Sequence, residues 1–281
     1  MIQDIGEHQF INGYKKEKPD SQSFILYYRD RDVLVRKAEG QISFPRFKDL
    51  EHYGKYIYEK AIFLFTIDDD NFYLVESLCL KGEVPSFSWE SINIFRTASP
   101  QYAGFAEILG YQLHGWYESH RFCGKCGRPM SHSEKERMMF CGNCNLMEYP
   151  RISPAVIVGV INENKILMSK YAGREYTNYA LLAGFIEVGE TVEEAIEREV
   201  LEEVGLKVKN FTYYKSQPWP VSGSLLLGYF VQLEGDDKIT LDEEELSMAD
   251  WFGVDEITMK RDNISLTNEM IMIFKDGKVK W

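Results

Sequence analysis

GFIEVGETVEEAIEREVLEEVGL, residues 184–206, sets eight glutamates against one arginine in a single loop and short helix. Thr191 followed by Glu194 has the form of a capping box, so a helix is predicted from Val192. Gly205 stands where that helix should end. At roughly 100° per residue the glutamates divide into two sets. Glu193, Glu194 and Glu197 form an expected solvated face, placed early enough to suit the helix dipole. Glu199, Glu202 and Glu203, at i, i+3 and i+4, lie toward the side carrying Val192, Ala195 and Ile196, which should face the protein body. Three crowded, partly desolvated carboxylates are unfavourable unless neutralised. Hard Mg²⁺ or Mn²⁺, which prefers oxygen ligands, would do this. The plainer alternative is a charged helix with Arg198 as its partner.

The whole chain has 281 residues, 44% apolar and 27% charged, enough for two domains and a sizeable core. Its net charge of −12 argues against broad nucleic-acid binding, and DNA is not expected as a partner. Capture of one RNA end, or a local basic pocket, stays compatible with it. The sequence has no apolar run of membrane-spanning length, and MIQDIGEHQF lacks a signal-peptide pattern, so no membrane partner and a cytoplasmic location are expected.

Cys79 stands alone in LVESLCLKG and reads as a small buried hydrophobe. Cys123, Cys126, Cys141 and Cys144 form CxxC, fourteen residues, CxxC, the spacing of a four-cysteine zinc site. Glycines after Cys123, Cys126 and Cys141 suit tight knuckles whose amides approach the sulfurs. Paired redox disulfides are the competing reading, less favoured at this spacing in a reducing compartment. Four protein ligands leave no open position, so this zinc is expected to be structural.

The cysteine unit also divides the chain, with expected domains at 1–118, 119–150 and 151–281. Before it, SFILYYRD and DVLVRKA flank one charged turn. AIFLFTI and NFYLVES flank Asp68-Asp69-Asp70, read as a hairpin turn or, less readily, a metal site. Ser99-Pro100 opens a helix with Ala106, Leu109, Leu113 and Trp116 on one face, flanked by His114 and His120 as surface or packing residues. After the unit, AVIVGV and KILMSK read as strands around Asn162-Glu163-Asn164, and LLLGYFVQL as a buried strand. SLTNEMIMIFKDG reads as a helix whose methionines serve a core or a dimer contact. The expected class is α+β: an N-terminal mixed α/β domain, a zinc ribbon, and a mixed sheet sandwiched between helices.

The pattern Gly184, Glu190, Arg198-Glu199-Val200, Glu202-Glu203, Gly205-Leu206 resembles the Nudix box with every defining position filled. With the ribbon, MEYPRISPAVI at 147–157 and SQPWP at 216–220, residues from about 100 onward resemble the zinc-ribbon-containing NADH pyrophosphatase and NAD-capped RNA hydrolase family. The resemblance implies metal-dependent cleavage of the pyrophosphate of NADH or NAD⁺ to nicotinamide mononucleotide and AMP. It also implies removal of NAD caps from RNA, and a homodimer. Glu199, Glu202 and Glu203 take its metal-ligand positions, and Glu245 matches an added ligand or base outside the box. Arg198 would orient the carboxylates, while Gly184 and Gly189 shape the loop. Phe185 and Tyr149 would stack on nicotinamide, Tyr149 from across the dimer. Gln217, Glu136, Trp219 and Thr267 match positions lining the substrate.

Val221-Ser222-Gly223 departs from the Phe-Pro continuation usual after SQPWP, removing an aromatic and suggesting a looser loop at Gly223. Thr267 stands where the family often has alanine. Two alternatives stay open: a Nudix hydrolase preferring ADP-ribose or another nucleoside diphosphate derivative, and a nucleotide-sensing regulator that binds without hydrolysis.

Overall fold

A computed structural model describes residues 1–54, 56–75, 78, 80, 84–173 and 178–281. Cys79 lies outside the described residues. Two compact units are present: Ile2–Arg151 with Pro220–Ser222, and Met1 with Ile152–Trp219 and Gly223–Trp281.

The first unit begins with short strands β1 (Phe10–Ile11), β2 (Phe24–Leu26), β3 (Tyr28–Arg29), β4 (Asp32–Ala38) and β5 (Gln41–Ser43), then a single helical turn α1 (Phe47–Leu50). Strands β6 (Ile62–Ile67), β7 (Asp70–Leu74) and β8 (Ser88–Ser91) follow, then the long helix α2 (Gln101–Ser119). One sheet runs β1-β6-β7-β2; another runs β3-β4-β5 with β8 on β4. Both expected hairpins are present, β3–β4 and β6–β7. Asp30 and Asp68 take the left-handed backbone their turns require. The second turn is not simply solvated, because the Asp68 carboxylate binds the His8 ring at 2.7 Å and accepts from the Gln9 amide at 2.8 Å. Helix α2 buries Ala106, Leu113 and Trp116 as its spacing predicts, and His114 packs at 5.2 Å on the Tyr28 ring. It also buries an acid, Glu107, completely, and burial pushes that carboxyl up to about 9.

The ribbon belongs to this unit, with strands β9 (Ser131–His132), β10 (Met139–Phe140) and β11 (Met147–Glu148). Its hairpin is tied to the preceding segment. Tyr14 donates to the Ser133 carbonyl at 3.1 Å, and Arg137 donates to Asn12 Oδ1 at 2.9 Å and to the Leu64 carbonyl of β6.

The second unit holds β12 (Ser153–Asn162), β13 (Lys165–Tyr171), β14 (Leu182–Phe185), α3 (Val192–Val204), β15 (Lys207–Trp219), β16 (Ser224–Glu234), β17 (Leu246–Gly253) and α4 (Leu266–Lys275). The sheet order is β15-β16-β12-β13-β17, with β14 on the first half of β12. Only β12–β16 is parallel among its pairs, so the sheet is mixed. Strand alternation along β12 builds two cores. Val156, Val158 and Val160 join Ile196, Val200 and Val204 of α3 on one face. Ile157 and Ile161 join Met270 and Ile271 of α4 on the other. The methionines of α4 that the sequence singled out, Met270 and Met272, are buried in that second core. No helix among the described residues is long and apolar enough to cross a membrane.

Candidate active site

The site is built on α3 and the loop before it. Thr191 caps the helix as expected: its hydroxyl accepts from the Glu194 amide at 3.2 Å, and the Glu194 carboxylate accepts from the Thr191 amide at 2.8 Å. Gly205 closes it at φ 71°, a left-handed position that favours glycine. The helix is therefore fixed at both ends, and its faces are fixed with it.

Glu199 and Glu203 turn toward the sheet, 8% and 2% exposed, whereas the side chain of Glu202 is 61% exposed. The expected inward trio is thus corrected to an inward pair. One residue is about 100° of helix, so with Glu203 fully inward its neighbour Glu202 falls at the edge of the buried face.

Gly184 of β14 explains how the sheet admits a carboxylate. A Cβ on Gly184 would lie 1.8 Å from the Glu199 carboxyl carbon. The missing side chain is the space that the Glu199 carboxylate occupies. Burial raises the Glu199 pKa, Arg198 opposes the rise, and the charges of Glu202 and Glu245 add to it.

Arg198 organises the loop around these acids. Its Nε and Nη2 donate to the two Glu190 oxygens at 2.6 and 3.0 Å, a bidentate pair. Its Nη1 donates to Glu199 at 2.7 Å and to Glu202 at 3.2 Å, and Nη2 also reaches the Phe185 carbonyl at 2.9 Å. The guanidinium holds Glu190 down to about 2, helped by the Glu187 amide, and the acids in turn hold Arg198 firmly charged. In the sequence Glu190 is only a position of the box pattern. That it is the main anchor of Arg198 had no local signal beyond the box itself.

Glu245 is exposed just before β17. The Asp242 amide donates to the Glu203 carbonyl at 3.0 Å, which docks this acidic loop on the end of α3 and accounts for the charge of Glu245 being felt at Glu199. Phe185 is 51% exposed and so offers a free ring face. Trp219 and Thr267 are half-buried, Trp219 at the end of β15 and Thr267 in the first turn of α4.

Gln217 departs from its expected place on a substrate surface. It is fully buried, donates to the Ile264 carbonyl at 2.8 Å and accepts from the Leu266 amide at 2.7 Å. It works as a clamp between β15 and the start of α4. Gly223 is likewise not a loose point: at φ 65° it makes the β15–β16 turn, and its carbonyl accepts from Ser153 at 2.9 Å.

In the ribbon, the Glu136 carboxylate lies close enough to the Tyr149 hydroxyl to raise its pKa, so these two predicted substrate residues are brought together. Ser133 Oγ accepts from the Lys135 and Glu136 amides at 3.2 and 3.3 Å and fixes the turn that carries Glu136.

The four cysteine sulfurs lie within 4.8 Å of one another, with separations of 3.4, 3.6 and 3.8 Å among them. A tetrahedron with Zn–S of about 2.3 Å has edges of about 3.8 Å, so the sulfurs fit zinc. Backbone amides of Cys144 and Asn143 aimed at Cys141 hold its thiol down to about 6, the knuckle chemistry expected of a thiolate ligand. Among the described residues this is the one His/Cys/Asp/Glu set already converged on a point; the box acids are held on Arg198 instead. Their fit to Mg²⁺ or Mn²⁺ rests on hard oxygen donors, two of them buried, and on the Gly184 cradle.

Residues 151–271 match the NUDIX domain, and residues 118–149 match the NADH pyrophosphatase zinc ribbon domain. The curated protein named NAD-capped RNA hydrolase NudC from Salmonella schwarzengrund is 41% identical over 166 residues, 58% of this chain and 64% of that protein. The protein of the same name from Klebsiella pneumoniae is 42% identical over 150 residues, 53% of this chain and 58% of its own length. The chain thus spans about three fifths of the length of the curated relatives it matches. A solved NUDIX hydrolase from Nitrosomonas europaea is 23% identical with a TM-score of 0.48, covering 56% of this chain and 91% of that one. A zinc ribbon domain of the NADH pyrophosphatase type and a NUDIX domain are thus matched one after the other in this one chain.

Proposed function

We propose that this protein is a metal-dependent hydrolase that cleaves the pyrophosphate of NADH and NAD⁺ to nicotinamide mononucleotide and AMP, and removes NAD caps from RNA 5′ ends. The observation that carries the reading is the buried Glu199 carboxylate filling the Cβ space of Gly184, with Arg198 spanning Glu190, Glu199 and Glu202. A buried acid kept in place by a missing side chain is a costly arrangement for a merely structural helix. A cation-binding site accounts for it. The name of the curated relatives supports the substrate class, as does the ribbon type.

Glu199, Glu202 and Glu203, with Glu245, would hold Mg²⁺ or Mn²⁺. That ion supplies charge neutralisation at the phosphates and a more acidic bound water. The chain's own contributions are distinct. Arg198 fixes the carboxylates and keeps Glu190 ionised. Gly184 leaves room for Glu199. Phe185 offers an exposed ring for a nicotinamide face. Tyr149, positioned by Glu136, offers a second ring, contributed across a homodimer. Gln217 acts indirectly by holding the first turn of α4, where Thr267 sits. We further infer a division of labour at 1–118, 119–150 and 151–281, and a cytoplasmic setting.

A second reading, ADP-ribose as preferred substrate, draws on Val221, which follows SQPWP where the family usually carries an aromatic, and on Thr267 in place of alanine. The test is a product analysis with the zinc-loaded chain, Mg²⁺ or Mn²⁺, and NADH, NAD⁺, ADP-ribose and an NAD-capped RNA in competition. NAD(H) or capped RNA should be cleaved first, and Phe185→Ala should remove that preference. Equal cleavage of all four, unaltered by Phe185→Ala, would overturn the nicotinamide pocket. No cleavage of any, with tight binding retained, would make the protein a sensor.

A further inference from the structure

A cavity of about 720 Å³ lies within the Nudix unit, where β15 and β16 meet the segment that follows α4. Its walls include Tyr214, Phe230 and Trp281, and its rim carries Lys278 and Lys280. Phe230 belongs to the core under α4, whereas the box helix packs on the core of the opposite sheet face. The cavity is therefore separate from the glutamate site.

Its chemistry is specific. Phe230 is buried and meets Tyr214 edge to face at 5.6 Å, giving a fixed aromatic floor. The Tyr214 hydroxyl is committed to Glu269 at 2.7 Å, and Lys215 neutralises that acid at 2.7 Å. Trp281 is 56% exposed, leaving ring surface free for a ligand. Among the described residues no acidic side chain lines the cavity. Lys278 pairs with Asp276 at 3.0 Å, but that carboxylate is shared with Arg261 at 3.2 Å, and Lys280 lines the same cavity. Two lysines and no acidic side chain on the lining leave a local positive excess in a chain of net charge −12. An apolar ligand would have no use for the lysines, and a bare anion none for the rings. Flat aromatic surface beside point cations suits a base carrying a phosphate.

The geometry points to a second ligand site here that takes one nucleoside monophosphate unit, its base on Trp281 and its phosphate on Lys278 and Lys280. The unit is either a free nucleotide or one residue of a strand. The site stands independently of the substrate assigned to the box.

The test is equilibrium dialysis of the full, zinc-loaded chain in Mg²⁺-free buffer. Probes are labelled AMP, adenosine, inorganic phosphate and a 5′-hydroxyl hexa-adenylate. The proteins are wild type, Lys278→Ala/Lys280→Ala and Trp281→Ala, with thermal melts to confirm folding. Both variants should lose one class of AMP or oligonucleotide sites by about tenfold or more, with adenosine and phosphate each binding more weakly than AMP. Dinucleotide hydrolysis should stay unchanged. Loss confined to AMP identifies a free nucleotide; loss confined to the hexamer identifies a strand. Unchanged stoichiometry and affinity in both variants would overturn the site. So would adenosine binding as tightly as AMP, which would leave the lysines without a role.

Discussion

Gly184 and Glu199 show how one absent atom can place a charge. The Glu199 carboxylate lies where a Gly184 Cβ would be, 1.8 Å from its carboxyl carbon. In Gly184→Ala the flexible end of Glu199 can swing away, so the fold should survive with a modest loss of stability. Its carboxylate, however, would leave Arg198. A misplacement of about 1 Å at a reacting centre can cost about 100-fold in rate, and that is the loss expected in turnover. An alanine variant with turnover close to wild type would show that the Gly184 space is not what positions the site. Glu107 gives a second prediction, in pH. Its folded pKa is raised to about 9 from 4.5 by burial, so the folded state keeps a proton that the unfolded chain releases. Stability is then fully present below about pH 4.5 and is lost as pH rises toward 9, by up to about 1.4 kcal/mol per pH unit. Urea unfolding at pH 6 and pH 8.5 should show this slope in the wild type and a flatter one in Glu107→Gln. Equal slopes would mean that Glu107 finds a partner when it ionises.

The box helix is the element most dependent on its ends. The Thr191 hydroxyl and Glu194 carboxylate satisfy each other's backbone amides, so Thr191→Ala should cost about 1 kcal/mol and Thr191→Ser much less. The measurement is the shift in unfolding midpoint, and equal midpoints for the two variants would remove the cap from the account. This helix is legible in sequence because cap, glycine stop and period all lie within the fifteen residues from Thr191 to Gly205. The β6–β7 and β12–β13 hairpins were legible for the same reason: the signal is local. Gln217 was not. Its burial depends on Ile264 and Leu266, some fifty residues away, and no pattern around SQPWP encodes them. Glu202 was misplaced by a subtler cause. Helical spacing orders side chains around an axis, but where the buried sector stops is decided by the sheet that receives it. The four cysteines sit between these cases, since their spacing fixes the ligand set while the surrounding packing does not follow from it.

That packing bears on the whole molecule. The ribbon's strands are two residues each, and among its side chains only Cys123, Met130, Met139 and Cys141 are buried apolar groups. So small a core cannot offset the entropy of ordering the segment unaided, and metal binding in such modules is folding free energy. What the ribbon gains besides zinc is attachment: Tyr14 to Ser133, and Arg137 to Asn12 and Leu64, tie its hairpin to the strands before it. The Nudix unit has two cores of its own and needs none of this. Chelating the zinc should therefore strip hydrogen-exchange protection from Met139, Phe140 and Cys141, while Val156, Val158 and Val160 keep theirs. The amide of Leu64, whose carbonyl receives Arg137, lies in β6 and should weaken only partly, because the β6–β7 ladder holds it independently. If the β12 amides open together with the ribbon, zinc supports the whole chain. If the ribbon amides stay protected without zinc, the Tyr14 and Arg137 attachments suffice to hold the ribbon, and the metal contributes little to its folding.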